Sequence, residues 1–131
     1  MKMTLRVMLP HRILLDEEVD KVVAEGGEGS FGLLPLHADF ASALVPGLLS
    51  YREAGSGVER FLAVDEGILV KCGGEVLVST RHAVAGGDLG ELRATVDGEF
   101  LALTEQERKT RSAMARLELS LARRFIDFGR K

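Results

Sequence analysis

A chain of 131 residues forms one or two small domains and can bury roughly two-thirds of its unfolded surface, enough for one real core. Hydrophobic residues make up 46% and mean hydropathy is +0.09, and no apolar run approaches the ~20 residues that cross a bilayer, which excludes a helical membrane span. A net charge of −3 with a single cysteine, Cys72, argues against general nucleic-acid binding and excludes an internal disulfide or a cysteine metal cluster.

The opening MKMTLRVMLPHR has no unbroken apolar core and no small-residue cleavage site, so no secretory signal is expected and the cytoplasm is the default compartment. Within it TLRVML alternates, with Leu5, Val7 and Leu9 on one face, the pattern of a half-buried strand. RILL and VDKVVAE follow, separated by the acidic run Asp16-Glu17-Glu18, which reads as a solvated turn. FASAL, LLSYRE, VERFLAVD, GILVK and EVLVST continue the series up to about residue 86. Breaks fall at Pro10, residues 26–29, Pro35, Pro46-Gly47, the AGSG stretch, Glu66-Gly67 and the CGG that contains Cys72. Short strands at ~8–12 residue spacing with Gly and Pro between them indicate an antiparallel sandwich or barrel, with two packed sheets expected. Cys72 is expected to be a small, partly buried apolar residue.

Residues 26–32 read GGEGSFG, and Gly27, Gly29 and Gly32 fit the G-x-G-x-x-G spacing of a pyrophosphate cradle. That cradle needs a helix whose N-terminus faces the phosphates. Pro35 follows three residues after Gly32, removes a backbone donor and biases Leu34 away from helical angles. The spacing therefore fits turn chemistry between two strands better than a nucleotide site.

After Gly86-Gly87 the texture changes, and no proline occurs again. Leu89, Leu92, Val96, Phe100 and Leu103 form one stripe at helical spacing, and Met114, Leu117, Leu121, Phe125 and Phe128 form another. Asp97-Gly98 weakens the first helix, while Thr104-Glu105-Gln106-Glu107 has the capping-box pattern that starts a new one. A hairpin over residues 87–131 is expected, its second helix running from Glu105 to Phe128 for roughly 36 Å. Charge is uneven. Residues 105–131 hold eight basic and four acidic side chains, a balance of +4, which leaves −7 for the rest of a chain whose net charge is −3. Such a basic arm calls for an acidic partner in another chain, on a lipid surface or in the acidic half of the same chain.

Catalytic signatures are missing. His11, His37 and His82 are isolated, with no metal-ligand spacing among them. Ser30 is not the nucleophile of a G-x-S-x-G elbow, because Glu28 stands where glycine belongs. His37, in the loop after LLP, is either a presented side chain or one bonded to backbone. No cofactor and no catalytic residue is expected.

The succession GGEGSFGLLPLHADFASALVPGLLSY, with VDKVVAEG before it, ERFLAVDEGILVKCGGEVLVST after it and two helical stripes at the end, resembles the epsilon subunit of F-type ATP synthases. The likeness runs from about Met3 to Phe128. It implies an α+β protein: an N-terminal antiparallel β-sandwich of about ten strands over residues 1–86, then a C-terminal α-helical hairpin over residues 87–131. It further implies a non-catalytic central-stalk subunit of a complex that moves protons or sodium ions. Such a subunit binds the gamma subunit and the c subunits of the rotor ring, couples ring to catalytic head, and restrains ATP hydrolysis through its C-terminal helices.

Carried onto this chain, ring contact falls to Glu28, Ser30, Phe31 and His37. Contact with an acidic loop of the catalytic beta subunit falls to Arg108, Lys109, Arg111, Arg116, Arg123 and Arg124. The resemblance also places the chain peripherally at the cytoplasmic face of a bacterial inner (plasma) membrane. The family's nucleotide motif, Ile/Leu-Asp-x-x-Arg-Ala, survives only as Arg93 and Ala94, because Gly90 stands where the aspartate belongs; Arg123 or Arg124 is expected to face this remnant across the hairpin. With its short first helix and its Phe100, Phe125 and Phe128, the chain looks closer to the alternate, ion-specialised form of the complex than to the housekeeping one. Without the resemblance, the residues describe a non-catalytic sandwich whose basic arm docks on an acidic protein or an anionic membrane.

Overall fold

The computed structural model describes residues 2–86, 88–100 and 105–129. Nine strands come first: β1 (Met3–Leu9), β2 (Arg12–Gly26), β3 (Gly29–Leu33), β4 (Phe40–Leu44), β5 (Gly47–Glu53), β6 (Glu59–Val64), β7 (Gly67–Cys72), β8 (Glu75–Thr80) and β9 (Ala83–Gly86). Helix α1 (Leu89–Thr95) runs into a π-helical turn at Val96–Phe100, and α2 (Glu105–Gly129) ends the described chain.

The two layers expected from the sequence are one hydrogen-bonded sheet folded over on itself, in the order β1-β8-β7-β4-β2-β5-β6-β9 with β3 paired to β2. β2 makes this possible by serving both layers. Its residues 12–19 pair with β1, residues 19–23 pair with β5, and residues 22–26 pair with β3. A register shift between Val19 and Lys21 marks the bulge at which the strand changes layer. All the pairings are antiparallel except β1 with β8, which is parallel.

Between the layers lies one core. Leu5, Val7, Leu44, Leu69, Val76 and Val78 meet Val22, Leu33, Leu49, Tyr51, Leu62 and Val64, all buried. Period-two alternation delivers these side chains to the inside and leaves their neighbours outside. β7 is buried on both faces: Leu69 points into the core, while Ile68 joins Ala41 of β4 in an outer cluster.

That outer cluster is covered by Leu119 and Ile126 of α2. The outer face of β6, at Ala63, is covered by Leu92 and Val96, with Leu48 and Phe61 packed alongside. The expected helical region is present, and each helix packs on its own part of the sandwich. Among the described residues, no buried cluster contains side chains from both helices.

Four local expectations are also corrected. Asp16, Glu17 and Glu18 are not a turn but the middle of β2, opposite Arg6, Leu5 and Thr4, where cross-strand cations offset their charge. Lys2 Nζ lies 2.9 Å from Glu18, and Arg6 Nε lies 3.4 Å from Asp16. β3 and β9 carry no alternating apolar pattern and were not expected; they form because β2 and β6 offer them free edges. Cys72 is exposed at the end of β7. Of the second stripe, Met114, Leu117 and Leu121 face solvent and the side chains of Phe125 and Phe128 lie outside the described residues; Leu119 and Ile126, which are not in the stripe, are buried. The Thr104 cap falls outside the described residues, and α2 is described from Glu105 onward.

Candidate functional site: an exposed loop surface and a helical arm

The glycine-rich stretch resolves into a hairpin. β2 and β3 meet through a turn at Gly27-Glu28, and Gly26 pairs with Gly29. Gly29 has φ +121, a backbone angle that disfavours any residue with a Cβ. A Cβ on Gly26 would stand 3.0 Å from the Phe31 ring, so the glycine there lets the ring fold back over the strand. No helix follows this turn, and the phosphate-cradle geometry is not formed.

Beyond β3 the chain enters an exposed loop, residues 34–39. Its turn is closed by His37 N donating to Leu34 O at 2.9 Å. His37 Nδ1 sits 2.7 Å from Ala38 O, so the histidine is both bonded to backbone and exposed. Its ring meets Phe40 edge-on at 5.7 Å, and Phe40 meets Phe31 at 5.1 Å. The structure therefore brings Phe31 and His37 together through Phe40. Phe31 packs against the core and is half-buried, whereas Glu28, Ser30 and His37 are exposed.

The sequence reading missed Leu36, which at 77% is the most exposed large hydrophobic side chain described, with Leu34 beside it at 53%. The signal was present as an apolar residue in a Pro-flanked loop, where no strand or helix period could bury it.

This loop does not hang free. Asp39 Oδ1 accepts a hydrogen bond from Gly73 N at 2.9 Å, and Lys71 Nζ donates to Gly73 O at 2.6 Å. Lys71 is 1% exposed, and burying an ammonium is costly unless it is hydrogen-bonded.

The second region is α2. Arg116, Arg123 and Arg124 are exposed; the side chains of Arg108, Lys109 and Arg111 lie outside the described residues. A half-open pocket of about 200 Å³ lies between the middle of α2 and the sandwich, lined by residues that include Pro10, Glu66, Thr80, Arg81, Met114 and Glu118. Arg81 Nη2 approaches Met114 Sδ at 3.8 Å across it. Arg93 and Ala94 are exposed on α1, which packs on β5, β6 and β9, whereas α2 packs on β4 and β7. Among the described residues no hydrogen bond or cluster joins Arg93 to Arg123 or Arg124. No three His, Cys, Asp or Glu side chains among the described residues come together as a metal site, and no described helix is long and apolar enough to cross a membrane.

Residues 2–86 match the family model for the ATP synthase Delta/Epsilon chain, beta-sandwich domain. The chain is 36% identical to ATP synthase epsilon chain 2 of Cereibacter sphaeroides over 125 residues, covering 94% of this chain and 85% of that one. It is 33% identical to ATP synthase epsilon chain 2 of Paraburkholderia xenovorans, covering 98% and 94%, and 34% identical to the ATP synthase epsilon chain of an Anaeromyxobacter strain, covering 94% and 96%. Its fold is similar to a chain in the cryo-EM structure of the Euglena gracilis mitochondrial ATP synthase OSCP/F1/c-ring, at a TM-score of 0.62 and 21% identity, covering 85% of this chain and 73% of that one. A chain in the central stalk/c-ring structure from Tetrahymena thermophila matches at 0.58 and 19% identity, covering 89% and 93%. The matched sandwich and the near full-length relatives together show that the chain belongs to the ATP synthase delta/epsilon family, as an epsilon-type, non-catalytic subunit.

Proposed function

We propose that this chain is a central-stalk subunit that couples the rotor ring of a proton- or sodium-translocating ATP synthase to its catalytic head, and that it restrains ATP hydrolysis through its C-terminal helices. In this reading the sandwich binds gamma and presents Glu28, Ser30, Leu36 and His37 to the ring. The exposed arginines of α2 meet acidic groups on the catalytic beta subunit when hydrolysis is restrained. The chain sits peripherally on the membrane through the complex, at the cytoplasmic face in a bacterium. Two of the relatives are designated epsilon chain 2, which supports an alternate form of the complex.

The observation that carries the reading is how lightly α2 is attached. Among the described side chains of α2, Leu119 and Ile126 are buried against Ala41 and Ile68 with Ala122 alongside, while Met114, Leu117 and Leu121 stay 46%, 65% and 57% exposed. An arm so held can leave the sandwich at small cost and offer a second apolar stripe with a basic flank to another surface.

The direct test is ATP hydrolysis by the reconstituted catalytic head with gamma, with and without this chain. Hydrolysis should fall when the chain is added and recover when residues 105–131 are deleted. Equal rates in all three preparations refute the restraint. Recovery of the chain from membranes without gamma or ring subunits refutes the stalk assignment.

A further inference from the structure

We infer that Asp39 and Lys71 are positioning residues for the ring-facing surface: they hold Gly73 from both sides, and through it fix the loop that carries Leu36 and His37. This rests on the reading of that surface as the face that meets the polar loops of the rotor ring.

The loop at residues 34–39 has little of its own to keep its shape. Within it the described residues show the turn bond from His37 N to Leu34 O and the His37 Nδ1 contact with Ala38 O, and its most exposed side chain, Leu36, is 77% exposed. A loop left to itself would lose conformational freedom on docking, at the expense of affinity. The tie to the turn between β7 and β8 removes that loss in advance. Asp39 Oδ1 accepts from Gly73 N at 2.9 Å across a separation of 34 residues. Gly73 has φ +58, in the left-handed region that favours glycine, so its N–H and C=O are held in one defined orientation. The next carbonyl, Gly74 O, accepts from Thr4 N at 2.8 Å, which fastens the same turn to β1.

Lys71 completes the hold. Its Cα partner across the β4–β7 ladder is Phe40, the residue whose ring touches both His37 and Phe31. The lysine stem is buried at 1% exposure, and Nζ reaches past the strand end to Gly73 O at 2.6 Å. An apolar residue of equal length would fill the space without desolvating a charge. What the lysine adds is a donor for the Gly73 carbonyl, and that donor makes the turn a fixed anchor for Asp39.

The test uses the full chain bound to gamma and vesicles carrying the purified rotor ring, with empty vesicles as background. Asp39→Ala should weaken ring binding about tenfold, the ratio that one charge-assisted hydrogen bond supplies, and should speed amide exchange in residues 34–39. Asp39→Asn, which keeps the acceptor oxygen, should recover most of the affinity. Lys71→Met, which keeps the apolar stem, should weaken binding in the same direction, and the Asp39 variants should keep a cooperative unfolding transition, with Asp39→Ala at a somewhat lower midpoint than wild type. Leu36→Asp leaves the hold intact and should abolish binding through the contact itself. Faster exchange in Asp39→Ala with wild-type affinity overturns the inference alone. A wild-type chain that binds ring vesicles no better than empty ones overturns the ring-facing reading and the inference with it.

Discussion

The backbone carbonyl of Ser79 occupies the place that a side chain on Gly67 would need. The two residues lie on neighbouring strands, Gly67 opposite Thr80 and Ile68 opposite Ser79, at the point where the chain leaves the buried Asp65-Glu66 corner. Thr80 Oγ1 lies within 3.0, 3.2 and 3.3 Å of the carbonyls of Glu66, Asp65 and His82, so the corner has little room to yield. Gly67→Ala should destabilise the fold by about 1–3 kcal/mol, the usual cost of forcing an extra group into a packed site. Urea unfolding of the purified protein measures this, and a loss below about 0.5 kcal/mol would show that β7 and β8 can separate freely.

The sandwich should fold without the helices. Its central cluster is built wholly from strand residues, and among the described residues the helical region adds buried Leu92 and Val96 on one outer face and Leu119 and Ile126 on another. A fragment of residues 1–86 should therefore give a cooperative β-type unfolding transition at a lower midpoint than the full chain, because Ala63 and Ile68 lose their cover. A fragment without cooperative melting by circular dichroism would join the two regions into one domain.

The arm should detach before the sandwich melts. Leu119→Ala truncates one of the two α2 side chains that, among the described residues, are buried against Ala41 and Ile68, a deletion of the kind that costs ~2–5 kcal/mol in a full core and less at a surface. Limited proteolysis should then cut within α2 while residues 2–86 survive. Unchanged protease resistance would mean that contacts other than this cluster hold the helix.

Tyr51 makes the alkaline limb of stability visible. Burial pushes its phenol above the ordinary value of 10.0, and the nearby Glu17 and Glu53 carboxylates add to the rise. A raised folded-state value means that the unfolded chain loses its phenolic proton first. The stabilisation is thus complete below pH 10 and is lost as pH rises through the folded value. Tyr51 is the single tyrosine and there is no tryptophan, so phenolate absorbance follows it directly. Its midpoint in the folded protein should lie above that of the urea-unfolded chain, and Tyr51→Phe should flatten the fall in stability above pH 10. Coincident midpoints would contradict the burial account.

ATP should bind the isolated chain weakly or not at all. Asp88 already accepts from Gly90 N at 2.7 Å as the cap of α1, and Gly90 has no carboxylate to orient Arg93. Arg123 and Arg124 stand on a helix that packs against other strands. Losing a charge-assisted hydrogen bond weakens a site by roughly 1.5–3 kcal/mol, from about tenfold to more than a hundredfold. Titration calorimetry that returned a low-micromolar dissociation constant would refute this, and Gly90→Asp should strengthen whatever binding is seen.

By itself the sequence determined where most strands begin and end, because glycine and proline cannot continue a ladder and alternating apolar residues need a pleated surface. It also determined the change to helix near residue 88, the helical character of the segment after Glu105, and, through the ordered glycine, proline and histidine motifs, the family. Tertiary structure decided the rest wherever a residue's role depends on a partner far away in the chain. The acidic run Asp16-Glu17-Glu18 reads as a turn until Lys2 and Arg6 are placed across from it. Periodicity showed that Met114, Leu117 and Leu121 share a face of α2, but not which face has a sheet beneath it; Ala41 and Ile68 gave that place to Leu119 and Ile126. His37 was legible as a loop residue, whereas the hold of Asp39 and Lys71 on Gly73 was not. A spacing pattern records the period of one element, and these contacts arise where separate elements are brought together by the burial of their common core.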